Sequence, residues 1–243
     1  MILFGITTLN HNEYTESLLK SVQDTEIYKS GLVDIIIVDD YSQKDDVKRL
    51  AYKYKVRFLG KDKPKGLTDS WNTIYQYYKN NLYTNLYIAN NDILIPRDCI
   101  ENMQRLLISY HSVSPLCNPK GIGNWAEIQQ CDVTTYSEMS QDFCDNPSNF
   151  NDVQSRLSAT MCGTCDETDF FHGFLMAFTR DILTNELDDG NLFSPNNINI
   201  GNEIELNARF KGKKAICLDA FIYHHKGITL NQKNRNILKQ FHK

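Results

Sequence analysis

The chain has 243 residues, seven cysteines, a formal net charge of −4 and a sequence pI of about 5.9. One domain of this length can bury a sizeable core, and the acidic balance argues against nucleic-acid binding, which needs a basic face for phosphates. The lysines at Lys61, Lys63 and Lys65, and at Lys211, Lys213 and Lys214, form short groups beside apolar runs and read as solvated loop ends.

No apolar run approaches the roughly 18–20 residues of a membrane span. The start, Met1 to Ile6, has neither a basic segment nor a cleavage site, so it does not read as a signal peptide. An odd number of irregularly spaced cysteines fits free thiols in a reducing, cytoplasmic setting. Cys162-Gly-Thr-Cys165 is a lone CxxC. A structural zinc wants four ligands and no second pair stands at matching spacing, so two loop thiols are the simpler reading.

Ile2 to Thr7 is an apolar run of strand length. Asn12 can cap a helix that carries Tyr14, Leu18, Leu19 and Val22 on one face. Val33 to Val38 is β-branched and almost uniformly apolar, as a strand buried on both faces should be. Ser42 then suits a cap, with Asp45 and Asp46 in the first turn and Val47, Leu50, Ala51 and Tyr54 at helical spacing. Val56 to Leu59 reads as a strand. Thr68 or Asp69 opens a helix with Trp71, Ile74, Tyr75 and Tyr78 on one face. Leu86 to Ala89 is a fourth strand, and a helix with Ile100, Met103, Leu106 and Leu107 follows Pro96.

Residues of about 118–166 are rich in Asn, Asp, Ser and Gln and lack a clear period, so they read as a polar insertion. Phe170 to Phe178 returns to strand character. Asn202 to Phe210 reads as a helix with Gly212 as its C-cap, and Ala215 to Tyr223 as a last strand. The alternation predicts an α/β fold: a Rossmann-like, mostly parallel central sheet with helices on both faces. Residues 1–110 would form one half, residues 111–230 the other, and residues 231–243 a basic tail.

In such sheets ligands sit beyond the carboxyl ends of the strands. Thr7, Thr8 and Asn10 follow the first strand, Asp39 and Asp40 the second, and Asn90, Asn91 and Asp92 the fourth. Asp39-Asp40 can cap a helix, but Ser42 already suits that task, so the pair points to a ligand. A carboxylate there can accept from a uracil N3–H or a ribose hydroxyl. Asn90-Asn91-Asp92 is either an Asx-rich turn or the holder of a divalent ion through Asp92. Glu203 and Glu205, in a first helical turn with Arg209 in register, are either dipole partners or a general base on a hydroxyl. His224-His225 ends a strand on the same edge and can add a metal ligand. Gly121-Ile-Gly123-Asn-Trp125-Ala126 fits the G-x-G-x-x-A pattern, but no buried strand precedes it, so it is rejected as a dinucleotide loop. Trp125 there either lines an acceptor pocket or sits in the core.

With these motifs in this order, the chain resembles the family-2 glycosyltransferases of GT-A fold over about residues 2–110 and 168–230. The matching segments are Ile6 to Asn10 for the first strand and its turn, Asp39-Asp40-Tyr41-Ser42 for the Asp-Asp-x-Ser signature, Gly66 to Asn72 for G-x-x-x-x-x-N, and Asn90-Asn91-Asp92 for D-x-D. Phe171 to Phe178 with Arg180 matches the acceptor-side strand, Asn202-Glu203-Ile204-Glu205 with Arg209 the Glu-Asp-x-Asp…Arg motif, and His224 to Thr229 the terminal His motif. The Asn-x-Asp version is similar to that of rhamnosyltransferase-like members. The processive synthases' Q/R-x-x-R-W motif is absent from the sequence.

The resemblance implies a nucleotide-sugar donor, UDP-linked by expectation, and a glycan or other hydroxyl acceptor. It implies a donor site of Thr7, Thr8, Leu9, Asn10, Asp39, Asp40, Gly66, Asn72, Asn90 and Asn91, with Asp40 on the base and Asn90 on the ribose. It implies Mn²⁺ or Mg²⁺ held by Asp92 with His224, and an acceptor side that includes Trp125, Gly173 and Glu205. Glu203 inherits the role of catalytic base, where the family has aspartate, and single-sugar transfer with inversion follows. Two alternatives stand beside this reading. A sugar-phosphate nucleotidyltransferase wants a Gly-rich basic loop that Thr7 to Glu13 does not supply. A catalytically weak binding module is suggested by the Asn and Glu substitutions.

Overall fold

The computed structural model describes residues 1–43, 46–119, 132–197 and 201–225. Its centre follows from the run Val33–Val38. Such a run is stable only with apolar cover on both faces, and it forms the inner strand β2 (Val33–Asp39), flanked by β1 (Ile2–Thr8) and β3 (Arg57–Gly60). The helices α1 (Asn12–Gln23), α2 (Glu26–Lys29), α3 (Asp46–Lys53) and α4 (Leu67–Lys79) lie between these strands and β4 (Asn85–Asn90). Then follow β5 (Ile93–Leu94), α5 (Cys99–Leu106), β6 (Ser112–Cys117), α6 (Gln141–Cys144) and α7 (Phe150–Thr160). The last described elements are β7 (Cys165–Glu167), β8 (Leu175–Thr179), α8 (Asn202–Arg209) and β9 (Lys214–His224).

The strands run in the order β3-β2-β1-β4-β8-β6-β9-β5, and β7 also pairs with β9. The first four are mutually parallel, as is β6 with β9; β8 is antiparallel to both its neighbours. The period-2 alternation of the strands divides the core. Phe4, Ile6, Ile35 and Ile37 face one layer with Leu18, Leu19, Val22, Val47, Ile100, Met103, Val153 and Leu157. Leu3, Ile36, Val38, Leu86 and Ile88 face the other with Trp71, Ile74, Tyr75, Tyr78 and Leu206. Each such side chain, fully buried, contributes about 1.5–3 kcal/mol. Gly5 is needed in β1 because a Cβ there would overlap Ile74 of α4.

Several boundaries differ from the sequence expectation. α1 starts at Asn12, and its N-cap is His11 in the left-handed region with no side-chain cap bond. α3 is described from Asp46, and the Ser42 hydroxyl bonds Asp39 and the Asn10 N–H. The strand expected over Phe170–Phe178 is confined to β8, because the chain turns at His172, whose carbonyl accepts from the Leu175 N–H. α8 ends against Phe210 in extended geometry, not at Gly212; Gly212 serves close packing, since a Cβ would strike His111 and the Phe210 ring.

The described part of the polar stretch, residues 132–166, is more regular than its composition suggests. It contains α7, whose Val153, Gln154 and Leu157 are buried. Gln154 bonds the Phe221 N–H and the Asp219 carbonyl of β9 at 2.8 and 2.7 Å. Among the described residues, no helix is long and apolar enough to cross a membrane.

Candidate active site

The carboxyl ends of β1, β2 and β4 lie side by side. Thr7 pairs in register with Val38 on one side and Asn90 on the other, and Thr8 pairs with Asp39. The loops that follow are fastened together. The Asp40 N–H donates to the Thr8 carbonyl at 2.9 Å, the Asn10 N–H to Ser42 Oγ at 2.7 Å, and the Gln43 N–H to Asn10 Oδ1 at 3.1 Å. Asn10, His11 and Tyr41 all have positive φ, at 60°, 56° and 71°. Left-handed non-glycine residues concentrate at functional sites, because surrounding structure must hold them there.

The two aspartates have separate tasks. Asp39 accepts from the Ser42 N–H and hydroxyl, closing the turn. Burial raises its carboxyl above the ordinary range, and the Ser42 bonds oppose this. Asp40 is 4 % exposed. Its Oδ1 accepts from Lys61 Nζ and the Lys65 N–H, each at 2.9 Å, and its Oδ2 from the Gly66 N–H at 2.8 Å. A carboxylate offers about four lone-pair directions, so one, on Oδ2, remains for a ligand. Gly66, at φ 92°, is the N-cap of α4.

Lys61 overturns its reading as a solvated loop end: its side chain is 8 % exposed and it also pairs with Asp69 at 2.8 Å and Ser70 Oγ at 2.6 Å. No sequence period marks it, because its partners come from β2 and α4. Other expected donor residues are framework. Asn91 donates to the hydroxyls of Thr8 and Thr15, at 3.1 and 3.0 Å. Asn72 exchanges two bonds with the Phe193 backbone. Thr7 Oγ1 donates to the Ala89 carbonyl at 3.4 Å, and Leu9 is half-buried in the loop.

Asp92 and His224, far apart in sequence, meet because β5 pairs with β9. Ile93 is opposite His224, and the His225 N–H donates to the Asp92 carbonyl at 2.9 Å. Asp92 Oδ1 lies 3.3 Å from His224 Nε2. Burial pushes the Asp92 carboxyl up, but the charge and hydrogen bond of His224 outweigh it and hold it below the ordinary range. Asn118 Oδ1 accepts from the His224 N–H at 2.7 Å, a support no sequence pattern announces. Aromatic packing fixes the neighbouring His225 between Tyr14 and Tyr223.

A divalent ion fits these residues. Asn90 Oδ1 is buried and accepts no hydrogen bond, and Asp92 Oδ1 is buried with only the His224 imidazole beside it; each is a hard oxygen. Two ligands of one octahedral ion, each about 2.1 Å from it, stand about 3 Å apart, which is close to the Asp92–His224 spacing. Among the described residues no group of three or more His, Cys, Asp or Glu gathers.

Glu203 lies in the first turn of α8. Gly173, in the turn before β8, lies directly under its carboxylate: a Cβ at Gly173 would overlap Glu203 Oε1. Burial raises the Glu203 carboxyl above its ordinary range. The adjacent His172 is pushed down to about 4 by burial, so its imidazole is neutral at physiological pH. The start of α8 is tied to the start of α4 by Thr68 Oγ1 donating to Asn202 Oδ1 at 2.8 Å. Glu205 has a framework position: it pairs with Arg209 at 2.5 Å and accepts from the Ser194 N–H, while Arg209 clamps the carbonyls of Asn185 and Leu192. Trp125 lies outside the described residues.

The sheet order, with β8 antiparallel among parallel strands and helices around the sheet, is that of the GT-A fold. The chain belongs to glycosyl transferase family 2, whose model matches residues 4–183. The mannosyltransferase PcManGT from Pyrobaculum calidifontis, solved with GDP-Man and Mn²⁺, superposes with TM-score 0.59 at 17 % identity, covering 92 % of this chain and 56 % of that one. TarS 1-349 of S. aureus gives 0.60 at 13 %, covering 92 % and 60 %. GalNAc-T7 with UDP, GalNAc and Mn²⁺ gives 0.61 at 14 %, covering 92 % and 43 %. The chain thus spans about half the length of these structures. No curated protein matches it.

Proposed function

We propose that the chain is an inverting, metal-dependent glycosyltransferase that moves one sugar from a nucleoside diphosphate donor, UDP-linked, to a hydroxyl of a glycan acceptor. The observation that carries this reading is the pair Asp92–His224 at 3.3 Å on the carboxyl edge of the sheet, beside the orphaned oxygen of Asn90. Structures of similar fold contain GDP-Man or UDP with Mn²⁺, which supports the same ligand class here.

Asp92 and His224 would hold Mn²⁺ or Mg²⁺, with Asn90 reaching the ribose. When bound, the ion acts as a Lewis acid on the diphosphate and offsets charge on the leaving group. Asp40 offers its remaining Oδ2 lone pair to a donor edge of the base, and the Thr7–Asn10 loop closes beside it. On the opposite face of the sugar, Glu203 accepts the proton of the acceptor hydroxyl. The acceptor oxygen bonds the anomeric carbon, the bond from that carbon to the diphosphate oxygen breaks, and the nucleoside diphosphate leaves with its electron pair. A base raised toward neutrality by burial is better matched to this proton transfer than an exposed glutamate. Gly173 and Glu205 act on the acceptor side by position: the first makes room for the base, the second holds its helix.

The test is a panel of nucleotide sugars assayed for Mn²⁺-dependent release of the nucleoside diphosphate. Wild type should turn over one donor class, Asp92→Ala none, and Glu203→Gln should bind donor without transfer. Near-normal transfer by folded Glu203→Gln would refute the assignment of the base. Binding without turnover of any donor would make the chain a binding module.

A further inference from the structure

Tyr41 follows Asp40 at the carboxyl end of β2. Three observations set it apart from other surface tyrosines. Its backbone is left-handed, at φ 71°, which a bulky side chain adopts only where neighbours compel it. The compulsion is visible: Asp39 closes the turn onto Ser42, and Ser42 in turn accepts from the Asn10 N–H. The side chain is 51 % exposed, and among the described residues no hydrogen bond, ion pair or ring contact involves it.

Among the described residues, no polar or ring contact therefore explains why a tyrosine stands here. Glycine or asparagine would relieve the backbone at once, and the turn needs only Asp39 and Ser42. The residue before it, Asp40, has one acceptor direction left, suited to a single donor on a base edge. Leu9, on the facing loop, offers no aromatic surface. A flat heterocycle whose edge is held by Asp40 needs a face to lie on, and stacking on an aromatic ring is tolerant of base identity.

We propose that Tyr41 is a specificity-determining residue for the donor: its ring packs on the nucleobase while Asp40 reads the base edge. The single free lone pair of Asp40 matches a base that presents one N–H there, as uracil and thymine do at N3, better than guanine, which presents two adjacent donors. This rests on the nucleotide-sugar reading of the site.

The experiment is titration of the full chain with UDP, dTDP, GDP, CDP and ADP in the presence of Mn²⁺, and with inorganic pyrophosphate and Mn²⁺ as the base-free control. Wild type, Tyr41→Phe, Tyr41→Ala and Tyr41→Gly are compared, each with its melting temperature without ligand. A stacking contact of ordinary size corresponds to about 5- to 150-fold in Kd. UDP and dTDP should bind best. Tyr41→Phe should match wild type, Tyr41→Ala and Tyr41→Gly should lose at least about fivefold for them, and pyrophosphate binding should not move. Tyr41→Gly should melt higher than wild type, which separates lost binding from lost folding. Equal UDP binding by wild type, Ala and Gly overturns the role of Tyr41 alone. Failure of wild type to bind any of the five overturns the nucleotide-sugar reading, and this proposal with it.

Discussion

The carboxylate of Glu203 rests on the bare Cα of Gly173, so closely that a Cβ there fits only if the carboxylate swings aside. The position of this proposed base is therefore set from below by a missing methyl group. Gly173→Ala should displace the carboxylate by about an ångström and lower kcat by about 10²-fold, with the donor KM little changed and a stability cost of about 1–3 kcal/mol. Shortening the base in the same background, as Gly173→Ala with Glu203→Asp, should recover part of the lost kcat. Steady-state kinetics of the four proteins in that cycle decide it, and additive losses would show that the contact is incidental.

The raised Glu203 carboxyl has two consequences of opposite sign. For catalysis the base must be ionised, so kcat/KM should fall as pH drops through a value above the ordinary 4.5 of glutamate. For stability, the folded state holds the proton more tightly than the unfolded chain. Between the ordinary value and the raised one the native state binds more protons, so this group's contribution to stability falls as pH rises through that window. Glu203→Gln should thus be inactive yet melt higher than wild type at pH 7. The gap should close below about pH 4, where both forms are neutral. Thermal melts at the two pH values provide the check.

Metal dependence should follow the Asp92–His224 pair. Chelation should abolish donor turnover and Mn²⁺ should restore it. UDP with Mn²⁺ at a hundred times its Kd should stabilise wild type by about 2.7 kcal/mol, read as a melting shift of a few degrees. Asp92→Ala should lose that shift, and His224→Ala should weaken it.

Lys61 is the buried counter-ion of Asp40. Lys61→Met should destabilise the fold by about 3–5 kcal/mol, because it leaves a buried carboxylate without its cation. Asp40→Asn in the same chain should return part of that loss, by removing the stranded charge. Urea unfolding measures both, and an unchanged midpoint for Lys61→Met would show that backbone N–H groups suffice.

What could be read in the sequence was what is written locally. The β-branched run of β2, the four-residue face of α4 and the polar strand ends all announce themselves by period and position. β6 did not, because Pro115 interrupts its pattern where the β6–β9 register shifts. α7 did not, because polar residues such as Gln154 face the interior and bond β9. The site divides in the same way. Asp92 closely follows the end of β4 and His224 ends β9, and both can be named from that, whereas the burial of Lys61 and the contact of Gly173 with Glu203 depend on partners that only the fold supplies. Asn72, Asn91 and Glu205 carry motif positions, yet the structure uses their side chains to fasten loops.

The pairing of β5 with β9 has a bearing on how the protein is made. β9 is the last described strand, and it pairs with β5, β6 and β7. A chain emerging from the ribosome presents β1 to β4 and Asp92 well before His224 is synthesised. A chain stopped before β9 would carry Asp92 with no His224 opposite β5. The Asp92–His224 pair is complete only once β9 has been made and has joined the sheet, so any task that needs both side chains waits for that strand.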